Sequence, residues 1–382
     1  MVLQTLRLQD FRNHPDTSCE FSPGINVLLG DNGQGKTNLL EAISYLCLTR
    51  SFYEAADSVV LRFGQQLFSV EGRIASANGS CFDVRVAYSD VPHDKTFTIN
   101  KQRVEPFSSV IGKFPLVICS PEHAPMTTGG PAERRRFADF VISQSNVLYF
   151  QDLIEYRKVL KHRNKMLLDA KLTNKDPGML LEPWNQQLVR MGSSLTWKRV
   201  QFVTEFQRFI VSSYQQLVGE GEEPSVMYQS QLVRAEDATV SDVEEEFGER
   251  LRQRRPEELR VGTSLVGPHR DELIMRINGR DLRKFASQGQ HKTFLVALKL
   301  GEFFYLKDRC GETPLLLLDD IFSELDEHRA RRLLALTGAL SQTFVTATNP
   351  QLFDHTPAAG CRSTRFVIRN GAIVEHSSMA TA

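Results

Sequence analysis

The chain has 382 residues, of which 41% are hydrophobic and 24% are charged, a composition typical of a soluble globular protein with more than one hydrophobic core. Its 46 basic residues balance 46 acidic ones, which excludes a protein whose overall charge attracts a polyanion, so any nucleic-acid surface must be local. The apolar runs are far shorter than the ~20 residues of a membrane helix and polar residues punctuate the N-terminus, so we predict a cytoplasmic protein without membrane contact.

The first predicted elements form a strand, a glycine-rich loop and a helix. The run Ile25–Leu29, INVLL, is typical of a buried strand and is followed by Gly30. Apolar residues then recur with helical spacing over Lys36–Leu48, which predicts a helix packed on a sheet. This is the order of elements that a phosphate-binding site requires.

The rest of the chain changes character twice. Short strands are predicted between residues 66 and 118, and helical periodicity dominates from about 132 to 218. After weaker strands, the predicted elements are a helix at 290–306, a strand at Leu315–Leu318, a helix at 326–340 and a strand at 343–348. We therefore predict an α/β unit built from both ends of the chain around a mainly helical insertion. The predicted segments are an N-terminal part of the α/β unit (1–118), a mainly helical lobe (119–292) and a C-terminal part of the α/β unit (293–382).

A phosphate-binding loop follows the first buried strand. Gly30, Gly35, Lys36 and Thr37 fit the pattern G-x-x-x-x-G-K-[ST]. Glycines let backbone N–H groups turn toward a phosphate, the lysine reaches the β and γ phosphates, and the threonine hydroxyl ligates Mg²⁺. The residues predicted to hold the nucleotide here are Gly30, Asp31, Asn32, Gly33, Gln34, Gly35, Lys36, Thr37 and Asn38.

A carboxylate pair ends the most apolar predicted strand. Asp319 follows four leucines, at the place where a Walker B carboxylate holds Mg²⁺ through water, and Asp320 comes next. We predict that Asp319 and Thr37 form the metal site. The predicted catalytic residues are Lys36, Asp319 and Asp320, the last orienting or deprotonating the attacking water.

A third motif precedes the helix predicted at 290–306. Ser287, Gln288, Gly289 and Gln290 place a serine and a glycine at a helix N-terminus, which is suited to bind an anion. A plain N-cap explains such residues equally well in isolation. The nearby Walker B strand and the SELD sequence at 323–326 favour a nucleotide contact, directed at the γ-phosphate bound by a second subunit.

In this order, the motifs resemble the head of ABC-type ATPases: Walker A, signature, Walker B and D-loop. The resemblance implies an α/β P-loop head, with a mixed sheet and flanking helices, that carries an inserted, mainly helical second lobe. Such heads bind two ATP molecules between two subunits, and the signature of each subunit closes the site of the other. Since the chain has one copy of each motif, an ATP-dependent homodimer is implied.

Further blocks resemble the RecF family of bacterial recombination mediators. The blocks are FRNH at 11–14, PGINVLLGDNGQGKTNLLEAISYL at 23–46, RSF at 50–52, SPEH at 120–123, GGPAERRRFADF at 129–140, YRKVLKHRN at 156–164, VGPHRDEL at 266–273, FASQGQHKTFLVALKL at 285–300 and LLLDDIFSELD at 316–326. The resemblance implies ATP and Mg²⁺ as cofactors, binding to gapped or junction DNA, and cooperation with RecO and RecR in loading recombinase. It also implies that Arg12 and Asn13 face the nucleotide.

Several positions depart from the family pattern. The block RSFR reads RSFY, so Tyr53 replaces a basic residue. Transporter-like heads carry a switch histidine where this chain has Thr348, which can hydrogen-bond a γ-phosphate but is no cation, so slow ATP hydrolysis is expected. No glutamine stands at the usual Q-loop position, where Ser120 and Glu122 are the nearest candidates.

Basic clusters are the candidate DNA contacts. Arg134, Arg135 and Arg136 adjoin a predicted helix start, and Arg157 and Lys161 belong to a second cluster on one helix. Neutralised phosphates release counterions, which gives sequence-independent affinity. The first cluster fits internal pairing with acidic residues equally well, and the second fits a solvated helix face.

Three other functions are compatible with part of the pattern. A transporter ATPase subunit predicts an apolar surface for membrane coupling helices, but the insertion length and the absent histidine count against it. A DNA-binding scaffold would bind ATP through the same motifs but would hydrolyse it at a negligible rate. A small-molecule kinase is disfavoured by the signature and the D-loop.

Overall fold

The computed structural model describes residues 1–53, 56–233, 238–350, 353 and 363–379. They form two compact units, each of which draws on separate parts of the chain. Unit 1 comprises Met1–Ala124, Ser212–Glu222 and Ser287–Ala382, and unit 2 comprises Pro125–Val211 and Glu223–Ala286. By this division the signature residues at 287–290 belong to unit 1, whereas the three-segment division of the sequence places them in the helical lobe.

The strands and helices are numbered along the chain. The strands are β1 Val2–Phe11, β2 His14–Glu20, β3 Ile25–Leu29, β4 Leu67–Ala75, β5 Cys81–Ser89, β6 Asp94–Ile99, β7 Gln102–Arg103, β8 Leu116–Cys119, β9 Pro224–Gln229, β10 Glu272–Ile277, β11 Arg280–Asp281, β12 Leu315–Leu318, β13 Thr343–Ala347, β14 Ser363–Arg369 and β15 Ala372–Met379. The helices are α1 Lys36–Leu48, α2 Asp57–Val60, α3 Pro125–Thr128, α4 Pro131–Ser145, α5 Val147–Thr173, α6 Glu182–Val218, α7 Val240–Val261, α8 Leu282–Phe285, α9 Gln288–Cys310 and α10 Glu327–Leu340.

Unit 1 contains a mainly parallel sheet of order β15-β14-β3-β13-β12-β8. Only β15 is antiparallel to its neighbour. The strands β3, β8, β12 and β13 are buried along their whole length, as expected for a parallel sheet covered on both faces. Because β13 lies between β3 and β12, the carboxyl ends of these three strands meet at one edge of the sheet. Ligands bind at such an edge in open α/β sheets.

A second, antiparallel sheet of order β2-β1-β4-β5-β6-β7 completes unit 1. Helix α1 packs against β1, β4 and β5 of this sheet and against β13 of the other. Its residues from Leu39 to Leu48 are all buried, so the helix that begins at the phosphate loop is fixed along its length. The rings of Phe11, Tyr45 and Phe68 form edge-to-face pairs with centroids 5.4–5.5 Å apart, which anchor the helix to the antiparallel sheet.

Unit 2 combines long helices with a small antiparallel sheet of order β11-β10-β9. Its core holds buried ion pairs: Arg163 of α5 contacts Glu258 of α7 at 2.6 Å, and Arg199 of α6 contacts Asp139 of α4 at 2.7 Å. These pairs tie helices to one another, since removing one partner would leave an uncompensated buried charge. Within the described residues, no helix is long and apolar enough to cross a membrane.

The described elements agree closely with the prediction in unit 1. The structure places β3, α1 and β12 at the predicted residues, and α9 begins two residues earlier than predicted, at Gln288. The hairpin of β14 and β15 was not predicted.

Candidate nucleotide-binding site

The glycine-rich loop joins the end of β3 to the first residue of α1. Gly35 is the N-cap and has a φ of 109°, a left-handed conformation that favours glycine. A Cβ at this position would lie 2.6 Å from Asn13 Oδ1, so a side chain would collide with the turn after β1. Lys36 donates from Nζ to the carbonyl oxygens of Gly30 (2.6 Å) and Asp31 (2.9 Å). The loop therefore curls around the ammonium group of Lys36.

The turn between β14 and β15 holds the middle of the loop. The backbone N–H of Asn370 donates to Gln34 Oε1 at 2.7 Å, and the N–H of Gly371 donates to the Gln34 carbonyl oxygen at 2.9 Å. Both turn residues have positive φ, 48° and 73°, as in the Asn-Gly turn of a two-residue hairpin. Through this turn the last two strands of the sheet fix the conformation of the phosphate loop.

Asp319 lies at the end of β12, is 3% exposed, and is surrounded by three hydroxyl groups. Its Oδ1 accepts from Thr37 Oγ1 at 2.7 Å and from Thr346 Oγ1 at 2.8 Å, and its Oδ2 accepts from the Tyr53 hydroxyl at 2.9 Å. The predicted pair of metal-site residues, Thr37 and Asp319, is therefore in direct contact. Burial, followed by the charge of Asp319, raises the pKa of Tyr53, so its phenol remains a hydrogen-bond donor at neutral pH.

Asp320 is exposed and lines a cavity beside the loop. Its backbone has a φ of 50°, and its N–H donates to Thr346 Oγ1 at 2.8 Å. The cavity has a volume of about 150 Å³ and is lined by Asn32, Gly33, Gly35, Lys36, Thr37, Asn38, Asp320 and Thr346. Burial lowers the pKa of Lys36, while the nearby Asp320 and Asp319 oppose this change. The cavity thus joins a cation, loop N–H groups and an acidic residue, which suits a phosphate with its metal.

The oxygen atoms at this site fit Mg²⁺. The ion prefers oxygen ligands and is usually bound by one or two protein groups, with phosphates and waters completing its coordination. Thr37 Oγ1 keeps a lone pair while donating to Asp319, and Asp319 offers carboxylate oxygens. The described residues contain no cluster of three or more His, Cys, Asp or Glu with metal-binding geometry.

Arg12 and Asn13 follow β1 and have different surroundings. Arg12 makes a bidentate pair with Glu41 of α1, with both distances 2.8 Å, and donates to the carbonyl oxygen of Val59. Asn13 accepts from Asn38 Nδ2 at 2.8 Å and lies against Gly35. The side chain of Asn13 therefore packs directly on the loop, whereas the guanidinium of Arg12 is bonded within the protein. Their contact with nucleotide stays a prediction.

The signature residues begin α9 and are mostly exposed. Ser287 and Gln290 form a capping box: Gln290 N donates to Ser287 Oγ at 3.2 Å, and Ser287 N donates to Gln290 Oε1 at 2.9 Å. Ser287, Gln288 and Gly289 are exposed, and none of them lines the cavity beside the phosphate loop. The N-cap role considered for Ser287 is present, and the helix end remains open to a ligand from outside.

The other predicted contacts lie at the ends of strands. Thr348 is exposed, one residue beyond β13, so its contact with a γ-phosphate stays a prediction. Ser120 follows β8, is buried, and caps a single helical turn at Pro121–His123, whereas Glu122 is exposed. Both residues stay predictions for the Q-loop position.

The candidate DNA-binding residues fall into two classes. Arg134 is 5% exposed, donates to Glu272 and to the Gly129 carbonyl oxygen, and Arg135 donates to the Asp271 carbonyl oxygen at 2.7 Å. Both therefore make contacts within unit 2: Arg134 pairs with an acidic side chain, and Arg135 bonds a backbone carbonyl oxygen. The exposed candidates are Arg136, Arg157 and Lys161.

Sequence reasoning missed three contributors to this site. Thr346 bridges the two aspartates from within β13, Glu41 anchors Arg12 from α1, and the Asn370–Gly371 turn holds Gln34. The Asn-Gly pair between apolar runs is a recognised hairpin signal and was available in the sequence. Thr346 and Glu41 gave no local signal, because their importance depends on strand order and on contacts distant along the chain.

Comparison with known proteins finds relatives that match nearly the whole chain. Residues 2–362 match the model of the RecF/RecN/SMC N-terminal domain family. The DNA replication and repair protein RecF of Salinibacter ruber is 40% identical over 358 residues, which are 93% of this chain and 86% of the relative. The RecF protein of Chloroherpeton thalassium is 41% identical over 357 residues, covering 92% of this chain and 96% of the relative.

Solved structures agree as well. The recombination mediator protein RecF with ATP, from the RecFOR pathway, has a TM-score of 0.88 and 30% identity, covering 99% of this chain and 97% of the other. An SMC head bound to the C-terminal winged-helix domain of ScpA has a TM-score of 0.57 at 14% identity, a likeness of fold alone. The predicted ABC-type ATPase head fold is therefore confirmed, and the chain belongs to the RecF family of DNA replication and repair proteins.

Proposed function

We propose that this member of a DNA-repair and recombination-mediator family is an ATP-dependent clamp whose two nucleotide sites form only when two copies associate. The observation that carries the proposal is the exposed signature at the start of α9. Its capping box uses the N–H of Gln290, while Gln288 and Gly289 stay exposed near the positive end of a 23-residue helix. Such helix ends bind phosphate oxygens.

The phosphate loop forms the other half of each site. In this proposal the loop N–H groups and Lys36 bind the β and γ phosphates, and Thr37 and Asp319 hold Mg²⁺. When bound, the metal would neutralise charge on the phosphate oxygens. Asp320, exposed at the same cavity, orients or deprotonates the attacking water. The signature of the partner copy would close the cavity over the γ-phosphate.

ATP turnover is proposed to be slow and to depend on DNA. Thr348 offers a hydroxyl where transporter-like heads have a histidine, so the site lacks that cation at the γ-phosphate. Slow hydrolysis lets bound ATP set the lifetime of the clamp, because a ligand that binds only the dimer shifts the equilibrium toward it. The alternative of a transporter ATPase is not favoured, since the relatives are DNA-repair proteins over almost the whole chain.

DNA and other mediator proteins are the proposed partners. A solved relative is described as a recombination mediator of the RecFOR pathway, and by analogy we propose that this chain acts in the cytoplasm with RecO and RecR at gapped or junction DNA. Arg136, Arg157 and Lys161 are the exposed candidate DNA contacts in unit 2. Since Arg134 and Arg135 donate hydrogen bonds within that unit, we expect their substitution to reduce the stability of the fold more than the affinity for DNA.

Sedimentation with and without ATP tests the central claim. Wild-type protein should shift from monomer to dimer when ATP and Mg²⁺ are added, and gapped duplex DNA should increase ATP turnover. Lys36→Arg should lose both responses, since the bulkier guanidinium cannot reproduce the contacts of Nζ with the carbonyl oxygens of Gly30 and Asp31. Lys113→Arg, at an exposed position outside the site, is the matched control and should behave as wild type. A wild-type monomer that ignores ATP would refute the clamp, and dimerisation without turnover would favour a scaffold.

A further inference from the structure

Tyr53 reaches the metal-site carboxylate from a loop outside the four ATPase motifs. Its hydroxyl donates to Asp319 Oδ2 at 2.9 Å, and its ring packs on Phe52 with centroids 4.3 Å apart. A neutral phenol provides a hydrogen bond to the carboxylate without adding positive charge beside a cation site.

The loop that presents Tyr53 is itself anchored. The backbone N–H of Tyr53 donates to Ser51 Oγ at 3.0 Å, and the hydroxyl of Ser51 donates to Glu41. Glu41 is fully buried in α1 and accepts the bidentate pair from Arg12. A continuous set of hydrogen bonds thus runs from Glu41 of α1 through Ser51 to the backbone N–H of Tyr53, which anchors the residue that carries the phenol.

The hydrogen bonds of Asp319 leave little of its acceptor capacity unused. A carboxylate has about four lone-pair sites, two on each oxygen. Oδ1 accepts from both Thr37 and Thr346, and Oδ2 accepts from Tyr53. Counting side-chain partners in the described part of the chain, one acceptor site remains, on Oδ2. A Walker B carboxylate that holds Mg²⁺ through water needs one such site.

We propose that Tyr53 is a positioning residue for the divalent cation: with the two threonines, its hydroxyl fixes the Asp319 carboxylate so that the remaining acceptor site on Oδ2 would stay available for holding the cation. This assignment rests on the proposed ATP-binding function. Groups that orient metal ligands through hydrogen bonds typically change metal affinity ten- to hundredfold when they are removed. Tyr53 therefore affects metal binding more than nucleotide binding itself.

Metal affinity of the nucleotide complex is the direct test. Purified full-length protein is loaded with ATPγS, Mn²⁺ is titrated, and bound Mn²⁺ is followed by electron paramagnetic resonance. Tyr53→Phe should bind Mn²⁺ at least tenfold more weakly, whereas its ATPγS affinity in EDTA should stay within about twofold of wild type. Tyr53→Arg, which replaces the neutral phenol by a cation, should bind Mn²⁺ more weakly than wild type because its charge repels the metal.

A matched control removes an equivalent hydroxyl elsewhere. Tyr45 in α1 donates to Asp57 Oδ1 at 2.8 Å, so Tyr45→Phe also deletes one hydrogen bond between a phenol and a carboxylate but leaves Asp319 intact. Its Mn²⁺ affinity should match wild type. Ser51→Ala, which releases the loop without touching the phenol, should weaken Mn²⁺ binding in the same direction as Tyr53→Phe and supplies the readout if that variant does not fold.

The possible failures are distinguishable. A wild-type protein that binds no ATPγS would overturn the proposed function. A wild-type protein that binds ATPγS and Mn²⁺, together with a Tyr53→Phe variant of equal or tighter Mn²⁺ affinity, would overturn the role of Tyr53 alone. A parallel loss of ATPγS binding in EDTA would show that Tyr53 supports the loop in general and would likewise overturn the assignment to the metal.

Discussion

Substitution of Gly289 by alanine should weaken ATP-dependent dimerisation without destabilising the folded chain. Gly289 is the second residue of α9 and exposed; an added Cβ would have Arg329 Nη1, 3.8 Å away, as its nearest neighbour. No atom of the described chain therefore requires glycine here. Alanine favours a helix over glycine by about 1 kcal/mol in the interior, and by roughly half of that near an end. The isolated chain should be as stable as wild type, with a melting temperature unchanged or about 1–2 °C higher.

The same methyl group should impair the dimer. If Gly289 closes on the nucleotide bound by the partner copy, each nucleotide site is composite, with the phosphate loop from one copy and the signature from the other. An added methyl group would then overpack each composite site at a cost of about 1–3 kcal/mol. Two symmetric sites give about 2–6 kcal/mol, which corresponds to at least about 25-fold weaker ATP-dependent dimerisation. Sedimentation with ATP measures this, and differential scanning fluorimetry measures folding.

A second helical glycine provides the control. Gly248 lies within α7, and a Cβ there would also meet its nearest neighbour, Arg252 Nη1, at 3.8 Å. Gly248→Ala should raise stability by about 1 kcal/mol and leave dimerisation unchanged. If Gly289→Ala dimerised with wild-type affinity, the signature would not close the second site and the composite-site reasoning would fail.

Two further predictions concern buried polar groups. Burial lowers the pKa of His269 to about 4, while its Nδ1 accepts from Tyr156 at 2.6 Å. As the pH falls, the unfolded chain therefore binds a proton at this residue before the folded chain does. The free energy of unfolding should decrease as the pH drops from about 6.5 to 4, by about 3 kcal/mol at most. Urea midpoints should show a shallower pH slope for His269→Gln, and equal slopes would contradict this account. Thr346→Val removes the donor to Asp319 and the acceptor for Asp320 N–H, so the free energy of unfolding should drop by about 1–3 kcal/mol and ATP turnover should fall. Urea denaturation measures the first effect and phosphate release the second. Unchanged turnover would exclude a role for Thr346 between the two aspartates.

The phosphate loop and its neighbouring elements were predictable because their signal is local. The apolar runs of β3 and β12 and the helical spacing of α1 specify buried elements without reference to the rest of the chain. The contact between Thr37 and Asp319 follows from parallel strands whose carboxyl ends share an edge. Local sequence patterns were therefore sufficient to predict these elements and the residues that meet at the site.

Long-range partners were not predictable in the same way. The three arginines at 134–136 form one basic cluster in the sequence. Arg134, however, pairs with Glu272, which lies far along the chain, and is therefore no longer an exposed candidate for DNA contact. Thr346 becomes part of the site only because β13 lies between β3 and β12. Such roles depend on strand order and on partners remote in sequence, which periodicity and composition do not encode.

The position of β3 in its sheet has a consequence for synthesis. Its neighbours, β13 and β14, and the turn that holds Gln34 all come from the last part of the chain, with Asn370 lying 336 positions after Gln34. At about 5–20 residues per second, a nascent chain carries β3 without its partners for on the order of 20–70 s. During that interval β3, in which four of the five residues are apolar, has exposed strand edges, and the phosphate loop lacks the strands and the turn that hold it. The ribosome must therefore finish nearly the whole polypeptide before the nucleotide site takes shape, and ATP can stabilise only the completed chain.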